Sequence, residues 1–266
     1  MLYLTFTLEI LIMLGFPVGL WLLLKRRPGI AWGLIGAGAL TFIASQIAHL
    51  PLNWALGLLG GEGGVASWPL PLMALVAGLS AGVCEETARY LVLRYWRREA
   101  RSWEQGVAFG AGHGGAEALI LGLLVAATFV AMVALRGMDL KALGLSGETL
   151  KQAQAQMDAY WSVSWYLPLL GGLERVFAIT IQIAMSLLVV RALVRHNVGW
   201  LLAAIGAHTL VDSVTVLLAG RGWAPLALEG VVLLFALAGL ATILMLRQKP
   251  EAVAEQPLPV DVSRET

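Results

Sequence analysis

At 266 residues, 59% hydrophobic and only 13% charged, with a mean hydropathy of +0.78, the chain lies outside the range of soluble domains, where about a quarter of residues are charged. A formal net charge of +1 leaves no basic surface for nucleic acid, and a single cysteine, Cys84, excludes an internal disulfide framework. The composition is that of a polytopic membrane protein whose first partner is the lipid bilayer.

Apolar runs of roughly 20 residues predict spans at 2–24, 30–50, 69–93, 106–134, 163–190, 199–219 and 223–246. The first, "MLYLTFTLEILIMLGFPVGLWLLLKRR", has no basic residue ahead of its apolar run, so it is expected to stay as a helix rather than be removed as a signal. Glu9 reads there as structural or interfacial. Span two ends in "SQIAHLPLN", where His49 reads as a packed, hydrogen-bonded residue. Span three carries "GVCEETARYLVLRYW", which places Glu85, Glu86 and Arg89 inside an apolar stretch. On span four, "GVAFGAGHGGAEALILG", Phe109, His113 and Glu117 recur every four residues and share a face. Gly106, Gly110 and Gly114 form a small-residue ridge beside them, suited to close helix approach. The following "SGETLKQAQAQMDAYW" reads as an outer interfacial helix or as a solvated loop. Span five contains Glu174 and Arg175, which can pair with each other, and Gln182 deeper in; span six, "IGAHTLVDS", sets His208 four residues from Asp212. Residues 250–266 are proline-rich and acidic and are expected to be a disordered tail.

All spans are expected to be helical, because an open sheet edge is not satisfied in hydrocarbon. Lys25, Arg26 and Arg27, then Arg94, Arg97, Arg98 and Arg101, then Arg191 and Arg195, then Arg247 and Lys249 fall on one side of a seven-span bundle. The positive-inside rule makes that side cytoplasmic, with the N-terminus outside and the C-terminus inside.

Depth is the informative coordinate. Glu85 lies nine residues before Arg94, His113 seven after Gly106 and His208 nine after Gly199. At the rise of an α-helix these fall in one layer, roughly 10–14 Å below the arginine-rich face. Ionisable residues in a membrane are costly, and several at one level mark a functional site. Glu86 and Arg89 alone could be a structural ion pair. Carboxylates beside imidazoles suit activation of a water and stabilisation of an oxyanion. A serine nucleophile, Ser186 or Ser213, leaves the doubled glutamate unexplained. Transport, immunity or scaffolding by the same polar layer is the non-enzymatic alternative, though no inverted repeat is visible.

"EETAR", "FGAGHGGAE" and "HTLVD", with "SQIAHLPLN" upstream, resemble the YhfC family of intramembrane peptidases. That family is similar in motif to the CAAX-processing and bacteriocin-immunity-type (CPBP) glutamic intramembrane endopeptidases. The resemblance covers most of the chain. It implies one integral-membrane peptidase-like domain over 1–249 in a prokaryotic cytoplasmic membrane, opening toward the cytoplasmic leaflet and cutting membrane-embedded or prenyl-like peptides. Glu85 is then the general base, Arg89 holds Glu86, and His113 and His208 bind water or the oxyanion. Glu117 and Asp212 orient the imidazoles, and Phe109 and Gln182 support the site. No cofactor is required in this reading; a zinc ion on His113, Glu117, His208 and Asp212 is the alternative. Two departures stand out: the arginine follows the glutamates one residue earlier than in the CAAX-processing group, and Gln182 stands where a YhfC-family histidine is expected.

Overall fold

A computed structural model describes residues 1–60 and 63–247; the expected disordered tail and the domain edge at residue 249 lie outside them. Eight α-helices are present among the described residues: α1 (Leu2–Lys25), α2 (Trp32–Ala55), α3 (Leu70–Leu91), α4 (Trp103–Arg136), α5 (Gly147–Ser162), α6 (Leu167–Val194), α7 (Gly199–Gly220) and α8 (Pro225–Met245). All but α5 are long and apolar enough to cross a membrane, and they are the seven expected spans with ends shifted by a few residues. No strand occurs among the described residues.

Local chemistry sets the boundaries on the arginine-rich side. α3 continues through a wider turn, Val92–Trp96, closed by the Arg97 amide donating to the Val92 carbonyl at 2.8 Å. The Arg101 guanidinium then donates to the Leu93 carbonyl at 3.1 Å, a group that the helix end leaves without a partner, and to the Ala100 carbonyl of the connection at 2.9 Å. α4 begins in a reciprocal cap: the Gln105 amide donates to Ser102 Oγ at 3.2 Å, and the Ser102 amide to Gln105 Oε1 at 3.1 Å.

On the opposite side, the stretch that read as either helix or loop is the helix α5. It lies against the ends of α1 and α4 through aromatic contacts: Tyr160 stacks on Phe6 at 4.8 Å and Trp161 meets Tyr3 at 5.0 Å, with Arg136 over the Trp161 ring at 4.6 Å. The amphipathic character of this stretch suffices for such a lateral contact but not for a span.

α4 is the central helix, and glycine makes it so. Gly106, Gly110 and Gly114 face α6; a Cβ at Gly110 would come within 2.7 Å of the Ile183 Cα and one at Gly114 within 2.8 Å of Gln182 Cβ. On its other side, Gly112 and Gly38 bring α2 and α4 together so closely that a methyl on either would overlap the other helix's backbone carbonyl. α3 and α7 meet in the same manner at Gly78 and Gly82, where a Cβ on Gly82 would lie 2.8 Å from the Ile205 carbonyl oxygen. These approaches set α3, α4, α6 and α7 around one polar centre.

Candidate functional site

The Arg89 side chain is fully buried, so each donor of its guanidinium needs a partner. NH1 donates to both oxygens of Glu86, at 2.8 and 3.0 Å. NH2 faces Glu85 Oε2 at 3.4 Å and donates to Gln182 Oε1, and Nε faces His113 Nδ1 at 3.4 Å. Because guanidinium only donates, His113 Nδ1 must accept, which leaves the proton of the neutral ring on Nε2. That Nε2 lies 3.0 Å from Glu85 Oε2 and donates to it. His208 is turned the other way: its Nδ1 donates to Glu86 Oε1 at 2.7 Å. Its Nε2 is aimed at the space between Glu85 Oε2, 4.0 Å away, and Asp212 Oδ2, 3.5 Å away.

The layer expected from depth is thus assembled: Glu85, Glu86, Arg89, His113, Gln182 and His208 are all buried and within contact of one another. Arg89 holds Glu86 despite the shorter spacing of the motif. Two expectations need correction. Glu117 does not orient His113; it accepts from Gln182 Nε2 at 2.9 Å and from Arg175 NH1 at 2.9 Å, because its extra turn along α4 carries it past the imidazole to α6. Arg89 orients His113 instead; His208 is held at Nδ1 by Glu86 and faces Asp212 from Nε2, so Asp212 lies beside the ring it was expected to orient. Phe109 is fully buried in the apolar cluster on the arginine-rich side, and Phe42 is the ring that meets His113, edge to face at 5.3 Å.

Several participants were not assigned from sequence. Arg175, read as the partner of Glu174, reaches Glu117 as well and so brings a second cation to the group. Gln46 donates to Glu85 Oε1 at 3.3 Å while accepting at Oε1 from His49 Nδ1, also at 3.3 Å. His49 continues to Ser80 and Asn53 at 3.2 and 2.9 Å, a hydrogen-bonded histidine as expected, though tied to the glutamate. The spacings Gln46–His49 and His49–Asn53, three and four residues on one helix, were the available signal for this chain.

The four side chains named for zinc, His113, Glu117, His208 and Asp212, are not brought together as one set. Among the described residues no group of three or more His, Cys, Asp or Glu side chains is disposed to hold a metal. Of the four candidates, only His208 and Asp212 face each other. The Nε2 of His113 is committed as a donor, whereas a ligating ring needs that lone pair free and its other N–H on an acceptor. Glu117 is held by Arg175, and a permanent cation already stands beside Glu85.

A cavity of about 340 Å³ opens on this group. Its walls include Glu85, Glu117, Gln182, His208 and Asp212, but not Glu86 or Arg89, which lie behind. From there it runs past Ala77, Arg175 and Thr215 to His49 and Asn53, all toward the arginine-poor ends of their helices. In the other direction Leu93, Phe109, Val189 and Ala204, each one or two turns nearer the arginine-rich face than the polar layer, are fully buried in one apolar cluster. The expected opening toward the arginine-rich leaflet is therefore corrected: apolar packing closes that side.

Residues 10–235 match the family model described as YhfC intramembrane metalloprotease. Over 220 residues the chain is 35% identical to the uncharacterized membrane protein YhfC of Bacillus subtilis (strain 168), a match covering 76% of this chain and 79% of that protein. No solved structure matches. With seven apolar helices around a Glu-Glu-Arg-His-His centre and a family match over most of its length, the chain belongs to the YhfC family of integral, multi-pass membrane proteins.

Proposed function

We propose that this protein is an intramembrane endopeptidase that hydrolyses a peptide bond with a water activated by Glu85. The observation that carries the reading is the division of labour between the adjacent glutamates. Glu85 lines the cavity, while Glu86 is fully buried and accepts from Arg89 and His208. Only Glu85 is placed to meet a water; Glu86 is a positioning residue. The metalloprotease description attached to the family is consistent with hydrolysis; the commitment of His113 Nε2 to Glu85 and of Glu117 to Arg175 supports the glutamic type.

In this reaction a water between Glu85 Oε2 and the scissile carbonyl gives one proton to Glu85 as its oxygen bonds to the carbonyl carbon. His113 Nε2–H donates to Oε2 and holds the Glu85 carboxylate in place beside the cavity. The carbonyl oxygen becomes an oxyanion, and His208, with Glu86 beneath Nδ1 to support an imidazolium, donates to it from Nε2. The tetrahedral carbon then expels the amine, which takes the proton held by Glu85. Water and peptide become acid and amine, and the glutamate is regenerated. Glu85 Oε2 and His208 Nε2 stand 4.0 Å apart, too far for a direct hydrogen bond, so neither is committed to the other. Passage of an ion is the weaker reading, because the cluster around Leu93 and Phe109 provides no polar path beyond the centre.

The test is a membrane-peptide library presented to purified protein, with products identified by mass spectrometry. Wild type is expected to generate new termini that Glu85→Ala does not. Equal cleavage by both, or by neither, would remove the hydrolytic assignment.

A further inference from the structure

Resting on the hydrolytic reading, we infer that the peptide reaches Glu85 from the arginine-poor side of the membrane. Its substrates are then membrane segments whose hydrophilic flank emerges on that side, rather than prenyl-like anchors at the arginine-rich face. Two independent observations carry this. The cavity holds no lining residue nearer the arginine-rich ends than the layer of His208 and Glu85; every other wall residue lies level with that layer or farther toward Ala55, Leu70, Leu167 and Gly220. Behind the layer, Leu93, Ala108, Phe109, Val189 and Ala204 are completely excluded from solvent. A peptide approaching Glu85 from the arginine-rich face would have to displace these packed side chains.

The composition of the two surfaces agrees with their roles. Ala77, Ala81 and Ala178 leave room along one wall for an extended backbone, the form in which a peptide bond can be attacked. By the positive-inside rule the open side faces away from the cytoplasm, so the scissile bond belongs to a segment entering from the outer leaflet. Hydrophilic residues along the route, Asn53, Arg175 and Thr215 among them, admit water to the glutamate from the same side.

Single cysteines placed in a Cys84→Ala background test this with a membrane-impermeant thiol reagent, applied to intact cells and to inverted vesicles. Thr149→Cys in α5 and Arg98→Cys beyond α3 report the two faces. Ala77→Cys and Thr215→Cys are expected to label from the side that labels Thr149→Cys, with labelling lost from the side that labels Arg98→Cys. Labelling from the Arg98 side, or from neither, overturns the inference. The same pattern is expected in a Glu85→Gln background, so failure of the access route and failure of the hydrolytic reading are separable. Full modification of Thr215→Cys by a bulky reagent should also abolish peptide cleavage; undiminished cleavage would show that the route is not used.

Discussion

The two halves of this bundle are built from the same helices and have opposite characters. On the arginine-rich half, Leu34, Leu93, Phe109, Val189 and Leu193 fill the space between α2, α3, α4 and α6. On the arginine-poor half, the same helices separate around a cavity lined by His49, Ala77, Glu117, Arg175 and Thr215. The boundary between them is the layer of Glu85, His113 and His208. The contrast shows how a membrane protein can keep a charged centre: packed apolar side chains seal one side while a cavity opens on the other. Buried charge is affordable only where each group has partners, and Arg89 supplies them to Glu86, His113 and Gln182 together.

Breaking this arrangement at its centre should have the largest effect. Arg89→Leu leaves Glu86 buried without its cation, and removal of one partner from a buried ion pair costs about 3–5 kcal/mol. Thermal unfolding in detergent should show a correspondingly large loss, and a variant as stable as wild type would break the claim that Arg89 organises the layer. In the sealed half, Leu93→Ala removes a fully buried side chain and should cost about 2–5 kcal/mol. The same truncation at Val216, on the cavity wall, should cost much less, since its surroundings are already open. Equal losses at both positions would erase the distinction between the halves.

Close approach is the next test. Gly82→Leu would push α3 from Ile205 and Thr209 on α7, and Gly110→Leu would push α4 from α6. Each should destabilise by at least about 1–3 kcal/mol, the range for overpacking. Gly82→Leu should also lower activity, because it separates Glu86 from His208; normal stability and turnover in both variants would rule out the close-packing account. The smallest effect is expected from Glu117→Gln, which keeps the shape of the side chain and leaves Arg175 its Glu174 partner. About 1 kcal/mol of stability should be lost, the scale of one hydrogen bond. Activity should fall far less than in Glu85→Gln; a loss as deep as that one would return Glu117 to the chemistry.

What was legible in the sequence was whatever depends on one helix at a time. Hydropathy located seven spans, and residue counting from the arginine-rich ends put Glu85, His113 and His208 at one depth, which the fold then assembles. The glycine ridge of α4 was legible because its four-residue spacing is itself a packing surface. Partners across helices were not. The shared face of His113 and Glu117 suggested contact, yet rotation of α4 hands Glu117 to Gln182 and Arg175 on α6. Arg175 looked fully explained by the neighbouring Glu174, and no local pattern shows that its guanidinium also spans to α4. The direction of the opening was invisible for a related reason. A cavity is space left by several helices jointly, and the small side chains at Ala77, Ala81 and Ala178 become a wall only once α3 and α6 are placed.

The central claim is that Glu85, and not a bound metal, activates the water. The most direct measurement is peptide hydrolysis by chelator-treated protein reconstituted in lipid, with metal content determined on the same sample and Glu85→Gln run beside it. Metal-free wild type should retain its hydrolytic rate, and Glu85→Gln should lose at least about 10²–10⁴-fold, the usual contribution of a general base. Zinc present in stoichiometric amount, leaving together with activity on chelation and restoring it on return, would contradict the account and establish the metalloprotease chemistry.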